Sequence, residues 1–349
     1  MERQRDCSID LLRIFAMTLV SCIHFLCYNN MWGNPDMPVY NRIFCDTLIT
    51  LTYCFVNIFV MMSGYLLCEK DFKVGRITST WLMVWVTSVS IAISVCLIHP
   101  QGISVNGMVR SLFPILTASY WYIVSYFLLL LAAPMLNKGI EMSSEKVLRR
   151  ALLWIGVLVL IFMNFNPLVD SDSYVGPDSA LPWFCYMYVV GAFIRKYGVS
   201  GFNVVAILGF ISFVVLFSTL YFRVSLPQGV VIHNTSSLFS VLLAVTLFVL
   251  FLKYGPSLKL PKTLMGGASL LGKSSLLVYI IQENYFFREW YWKALSPFRY
   301  KDSPKLILAW LVTVIVFWIL AVIMYKWYKL LQKLFVGKIE VSINNWIEK

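Results

Sequence analysis

The sequence predicts an all-α polytopic membrane protein, with about ten transmembrane helices in one bundle and both termini cytoplasmic. Three observations carry this. First, 59% of the residues are hydrophobic and 13% are charged. A soluble domain carries roughly 25% charged residues, so the chain has about half the usual supply of solubilising groups. Second, ten apolar runs follow one another along 349 residues, most of them near the ~20 residues a helix needs to cross the hydrocarbon core. They leave no room for a large soluble domain beside them. Third, Lys and Arg divide unevenly between alternate connections, 19 against 8, and the richer side is the cytoplasmic one. A mean hydropathy of +0.75 excludes an ordinary soluble domain, and 16% aromatic content excludes intrinsic disorder. The net charge of +12 suits anionic lipid headgroups facing the cytoplasmic loops. No basic run stands outside the apolar segments, so nucleic acid is not an expected partner.

Taken in order, the runs fall at 9–28, 47–68, 80–98, 119–136, 152–168, 182–194, 203–222, 236–252, 268–287 and 306–325. The first is no cleaved signal peptide, because it contains Asp10, Arg13 and His24 and no small-residue cleavage site follows it. The second ends in Ser63-Gly64, small residues that let helices approach closely, and the basic loop Lys70, Lys73, Arg76 follows. The fourth opens on Trp121-Tyr122, an aromatic pair at a membrane interface. The sixth is short and starts at Pro182, which suits a tilted or partial span. The connection 169–181 holds three Asp and no Lys or Arg, as an outer loop does. The last outer loop, 288–305, breaks the charge rule with five Lys and Arg; either it folds onto the outer surface or one span is miscounted. Beyond residue 325, Trp327, Leu330, Leu331, Leu334 and Phe335 alternate with lysines, the pattern of a basic amphipathic cytoplasmic tail over 326–349. The eight cysteines form no CxxC pair and mostly lie inside apolar runs. They read as small core hydrophobes rather than a metal site, with a Cys27–Cys45 disulfide left open.

Charged groups inside the first run carry the strongest chemical signal. Burying Asp or Arg at mid-membrane costs about 2.5–3.5 kcal/mol, less near an end. Asp10 and Arg13 are three residues apart and pair on one helix face. Arg13 and His24 are eleven apart: three turns plus about 20°, with a rise of roughly 16 Å. One face therefore carries an anion anchor near the cytoplasm and, farther out, a histidine whose proton affinity suits a general base. The plainer reading is a snorkelling ion pair and a hydrogen-bonded bundle histidine. Glu283 sits about 15 residues into the outward-running ninth run, as His24 does in the first. A carboxylate at that depth orients the imidazole, or else pairs with Arg288. His99 and His233 fall in outer loops and carry no such signal.

Together these residues resemble the integral-membrane acyltransferase 3 family. Its first span reads Asp-x-x-Arg followed by a His eleven residues after the Arg, matched by Asp10, Arg13 and His24. Its second span carries a Phe-x-x-Ser-Gly-Tyr-Leu type motif. Here Phe59 stands one residue further from Ser63-Gly64-Tyr65-Leu66, and a basic segment represented by Lys73 and Arg76 follows. Trp121-Tyr122-Ile123 through Pro134 matches a third stretch, and Ser275 through Tyr279 to Gln282-Glu283 a fourth. Gln282 stands where many relatives have His, which leaves His24 as the one strong base candidate.

The resemblance covers about residues 5–325 and makes 1–325 one transmembrane acyltransferase domain. It implies transfer of an acyl group, usually acetyl, from acyl-CoA to a hydroxyl of a polysaccharide, glycolipid or other cell-envelope acceptor. It further implies a multi-pass protein of the cell membrane with acetyl-CoA as donor, membrane lipids as surroundings, and neither a bound cofactor nor a metal. His24 and Glu283 are then the catalytic candidates. Asp10, Arg13, Ser63, Lys73, Arg76, Trp121, Tyr122 and Gln282 are the candidates for binding acyl-CoA and acceptor. Ser63, Tyr122 and Gln282 are also the candidate oxyanion donors. No extracytoplasmic hydrolase-like domain is expected, so the chain either completes the transfer or hands the acyl group on. The alternative is a transporter or flippase of a lipid-linked glycan, which would also bury polar residues in its spans.

Overall fold

The computed structural model describes residues 7–100, 104–165, 177–198, 235–258 and 260–347, with a few isolated positions between 203 and 217. Among the described residues every regular element is helical. Seven helical stretches there are long and apolar enough to cross a membrane: 7–27, 39–67, 74–98, 121–142, 238–257, 262–283 and 305–347.

Helix α1 (Cys7–Cys27) places Asp10 in its first turn and His24 in its last, the signs a helix dipole favours at each end. It is packed on two faces. Leu12, Ala16 and Leu19 join one core, while Met17, Val20 and Phe25 join another. Around it lie α2 (Val39–Thr52) and α3 (Phe55–Leu67), which share the second span but break at Tyr53-Cys54. There the Thr52 hydroxyl and the Cys54 thiol donate to the Ile49 and Leu51 carbonyls, at 2.7 and 3.2 Å. Side-chain donors of this kind compete with the helix ladder at its weakest point. Expected to start at residue 47, the span thus begins eight residues earlier as a separate helix after Pro38. Polar Asn41, Arg42 and Asp46 hide that extension from a hydropathy count.

Next come α4 (Val74–Ile98), the short α5 (Val105–Leu112) and α6 (Trp121–Met142). The fifth and sixth apolar runs fall on α7 (Glu145–Phe165) and α8 (Pro177–Tyr197). Both are helical, yet neither is among the seven membrane-length apolar helices. Glu145, Lys146, Arg149 and Arg150 open α7, and Arg195 and Lys196 close α8; the side chains of α7 beyond residue 158 lie outside the described residues. The run at 203–222 lies almost wholly outside the described residues.

Two glycines set the crossing of α3 with α8. A β-carbon at Gly64 would run into the Tyr188 carbonyl, and one at Gly191 into the Met61 carbonyl. Each helix thus presses its backbone into the other's glycine, the small-residue contact that replaces hydrophobic driving force inside a bilayer.

The chain continues through α9 (Leu238–Tyr254) and α10 (Lys262–Glu283). Asn284 then caps α11 (Tyr285–Leu295), accepting from the Phe287 N–H at 3.3 Å. The basic 288–305 stretch is therefore largely helical, and α11 folds against α4 and α5. Finally α12 (Lys305–Leu331) passes through a π-helical turn at Gln332–Val336 into α13 (Gly337–Ile347), which packs on α4. No break separates the last span from the tail at residue 325. Cys27 and Cys45 are both free thiols, so no disulfide joins them.

Candidate active site

Along α1, Arg13, Met17, Val20 and His24 form one stripe, and that stripe is a wall of a cavity of about 250 Å³. The spacing of four, three and four residues is one face of a helix, and Met17 and Val20 on that face also join the second core. Phe55, Phe59, Met62, Ser63, Leu66 and Leu67 of α3 form the facing wall. Trp121, Tyr122 and Tyr126 of α6 and Ser275, Leu276 and Tyr279 of α10 close the sides. Tyr122 and Tyr126 stack with ring centroids 6.0 Å apart, and Phe59 and Tyr279 each meet Tyr122 edge-on at 6.2 Å. The lining is apolar and aromatic apart from Arg13, His24, Ser63, Ser275 and the tyrosine hydroxyls.

Asp10 supports Arg13 from below. Its carboxylate accepts from the Arg13 guanidinium at 3.2 Å and is 3% exposed, whereas the arginine side chain is 30% exposed. The close fit relies on Gly272 of α10, where a β-carbon would come within 2.8 Å of the Asp10 carboxylate. Lys73 and Arg76 stand apart from this cavity. With Lys70, Phe72 and Asn137 they line a smaller hollow of about 20 Å³ at the start of α4. Leu67 lines both spaces, so the basic hollow adjoins the Arg13 end of the larger one. The Ser63 hydroxyl donates to the Phe59 carbonyl at 3.1 Å.

At the other end, both ring nitrogens of His24 have partners. Nδ1 lies 2.7 Å from Gln282 Oε1, and Nε2 lies 3.2 Å from Glu283 Oε1. Gln282 is fully buried behind the imidazole, and its amide donates to Ser21 Oγ at 2.8 Å. Neither Gln282 nor Glu283 is among the residues lining the cavity. The two sequence readings of Glu283 coexist: its second oxygen also lies 3.6 Å from Arg288. Tyr28 donates to the same carboxylate at 2.5 Å, and Arg288 lies over the Tyr28 ring, 5.4 Å from its centroid. Packing around the phenol and the adjacent Glu283 charge push Tyr28 well above the ordinary tyrosine range, so it stays a donor.

Sequence reasoning named the two ends of this arrangement together with Asp10, Gln282 and Glu283, which contact them, and missed Ser21, Tyr28 and Tyr126. Ser21 is three residues before His24 and Tyr28 four after it, both helical neighbours of the histidine, and that spacing was the available signal. Tyr126, four residues after Tyr122, was legible in the same way.

The family model for the acyltransferase domain matches residues 7–326. No significant match was found among curated proteins or among solved structures. A match over nearly the whole chain, on a bundle with seven helices of membrane length among the described residues, makes the conclusion direct: the chain belongs to the acyltransferase 3 family and is a multi-pass membrane acyltransferase.

Proposed function

We propose that the chain moves an acyl group, most simply acetyl, from acyl-CoA to a hydroxyl of a cell-envelope glycan or lipid-linked sugar, with His24 as general base. The observation that carries this reading is the single apolar cavity with Arg13 at one end and His24 at the other. On α1 the two are separated by a rise of about 16 Å. A slender pantetheine arm fits such a passage, with its phosphates on the cationic side and its thioester toward the imidazole. Arg13, Lys73 and Arg76 suit phosphate oxygens. In the reaction the acceptor hydroxyl gives its proton to His24 as its oxygen attacks the thioester carbonyl. The C–S bond then breaks, and the departing thiolate takes up the proton. Tyr122, on the cavity wall, is the candidate donor to the oxyanion, and Ser63 would serve only by releasing the Phe59 carbonyl.

The deciding experiment supplies acyl-labelled CoA to membranes containing the protein and follows label into envelope glycans by mass spectrometry. A flippase needs no thioester, so absence of protein-dependent labelling would leave flipping as the better reading.

Two further outcomes are expected. Arg13→Ala and Arg76→Ala each raise the KM for acetyl-CoA about tenfold or more, the scale of a lost charge-assisted hydrogen bond. The effect at Arg76 depends more strongly on salt, since exposed charges are screened within about 10 Å at 0.1 M. Unchanged KM with reduced turnover in both variants would remove the phosphate-anchor role.

The cell membrane as location, ten spans and cytoplasmic termini belong to the same reading, because acetyl-CoA is a cytoplasmic metabolite and its anchors must face it. In a background lacking the native cysteines, a cysteine at position 73 should be protected from an impermeant reagent in intact cells. One at position 301 should be labelled. External labelling at 73 would separate the proposed anchor from its donor and invert the topology.

A further inference from the structure

We infer that Ser21 is a positioning residue: through the Gln282 amide it holds His24 as the Nδ1–H tautomer, leaving Nε2 to take the proton from the acceptor. The inference rests on the acyl-transfer reading for its catalytic meaning; the tautomer is argued from the buried hydrogen bonds on the Nδ1 side of the ring. The Ser21 hydroxyl has one proton and spends it on the Met17 carbonyl, 3.4 Å away. Toward Gln282 it can therefore only accept, and the Gln282 nitrogen lies 2.8 Å from it. An amide fixed by its NH₂ end must present its oxygen on the other side. His24 Nδ1 meets that oxygen at 2.7 Å. A carbonyl oxygen has no proton to give, so Nδ1 carries the hydrogen. Ser21 and Gln282 are both fully buried, and reversing the amide would set its oxygen against the serine lone pairs.

With Nδ1 committed to the amide, Nε2 faces Glu283 at 3.2 Å, a contact that becomes an ion pair when Nε2 carries a proton. Every charged or titratable group around the imidazole can be placed. Glu283 and Tyr279 come from α10, Tyr28 follows α1, Arg288 comes from α11, Tyr122 from α6, and Arg13 lies at the far end of the same cavity. Tyr28 and Arg288 supply the Glu283 carboxylate with a donor and a cation of its own, so it does not depend on His24 for a partner. Gln282 is sealed behind the ring, whereas Glu283 is 12% exposed and shared among three groups. The orienting contact is thus the neutral amide. The carboxylate meets the other ring nitrogen, where it balances the charge of the imidazolium as the acceptor loses its proton. In the familiar triad the carboxylate holds the nitrogen opposite the reacting one; here that place belongs to an amide aimed by a serine.

The test uses the full-length protein in lipid nanodiscs with ¹⁵N-labelled histidine. His99→Gln and His233→Gln leave His24 as the single histidine resonance pair, since the chain has three histidines. At a pH where the ring is neutral, the expected spectrum has a protonated Nδ1 and an unprotonated Nε2. Ser21→Ala frees the amide to turn, so both tautomers appear, and kcat falls about tenfold with the acyl-CoA KM unchanged, the scale of one lost hydrogen bond. An Nε2–H tautomer in the otherwise wild-type protein overturns the inference, as does an unaltered Nδ1–H tautomer in Ser21→Ala. Should that variant fail to accumulate, the spectrum of the unaltered Ser21 protein decides by itself. The two readings separate cleanly. An Nδ1–H spectrum without acyl transfer sinks the enzymatic reading and leaves the tautomer standing, whereas normal transfer with an Nε2–H spectrum does the reverse.

Discussion

Membranes carrying His24→Ala are expected to hold the protein at wild-type abundance and to show acyl transfer reduced by about 10²–10⁴-fold, the range associated with loss of a positioned acid–base group. Among the described residues the imidazole is the one basic nitrogen group at its end of the cavity. Alanine leaves Gln282 Oε1 buried without its donor, at a cost of about 1–3 kcal/mol, which a bundle with two apolar cores can absorb. Transfer of labelled acyl groups, normalised to protein in the membrane, is the measurement. Near-normal transfer at matched abundance would eliminate His24 as the base and return the site to a structural role.

The second large effect concerns folding. Gly64→Val places two methyl groups and a β-carbon where the Tyr188 carbonyl now lies. Overpacking a core against side chains costs about 1–3 kcal/mol. Here the obstacle is backbone, which has no rotamer to yield, so α3 and α8 must separate. The expected result is a more than tenfold loss of monodisperse protein after detergent extraction. Gly139→Ala is the control, since a β-carbon there meets nothing within 4 Å. A Gly64→Val protein that extracts and melts like wild type would show that the crossing is not held this tightly. Ser63, next to Gly64, lines the cavity, so milder substitutions at this crossing should reach the site through that residue.

What could be read in the sequence follows from how local the signal is. Arg13 and His24 share a face because both lie on one helix, and helical geometry alone relates them. The meeting of His24 with Gln282 and Glu283, more than 250 residues apart in the chain, was legible only as similar depth in two outward-running spans. Depth says nothing of rotation about the helix axis. The break at Tyr53-Cys54 left no Gly or Pro in the sequence to mark it. Ser21 was passed over for another reason. A serine in an apolar helix usually bonds back to its own carbonyl, and Ser21 does so as well; its second bond, to Gln282, belongs to the packed bundle.

The wall of Phe55, Phe59, Leu66, Trp121 and Tyr122 has a consequence for waste. A thioester held among such side chains meets few water molecules, and water is the commonest competing nucleophile for an activated acyl group. Closed, apolar surroundings suppress that side reaction. Hydrolysis of the donor in the absence of acceptor should therefore be slow, and the acyl group should remain on its carrier until a hydroxyl arrives. Polar substitutions on this wall, such as Phe59→Ser, would first be seen as uncoupling, with free carboxylic acid released for each molecule of donor consumed.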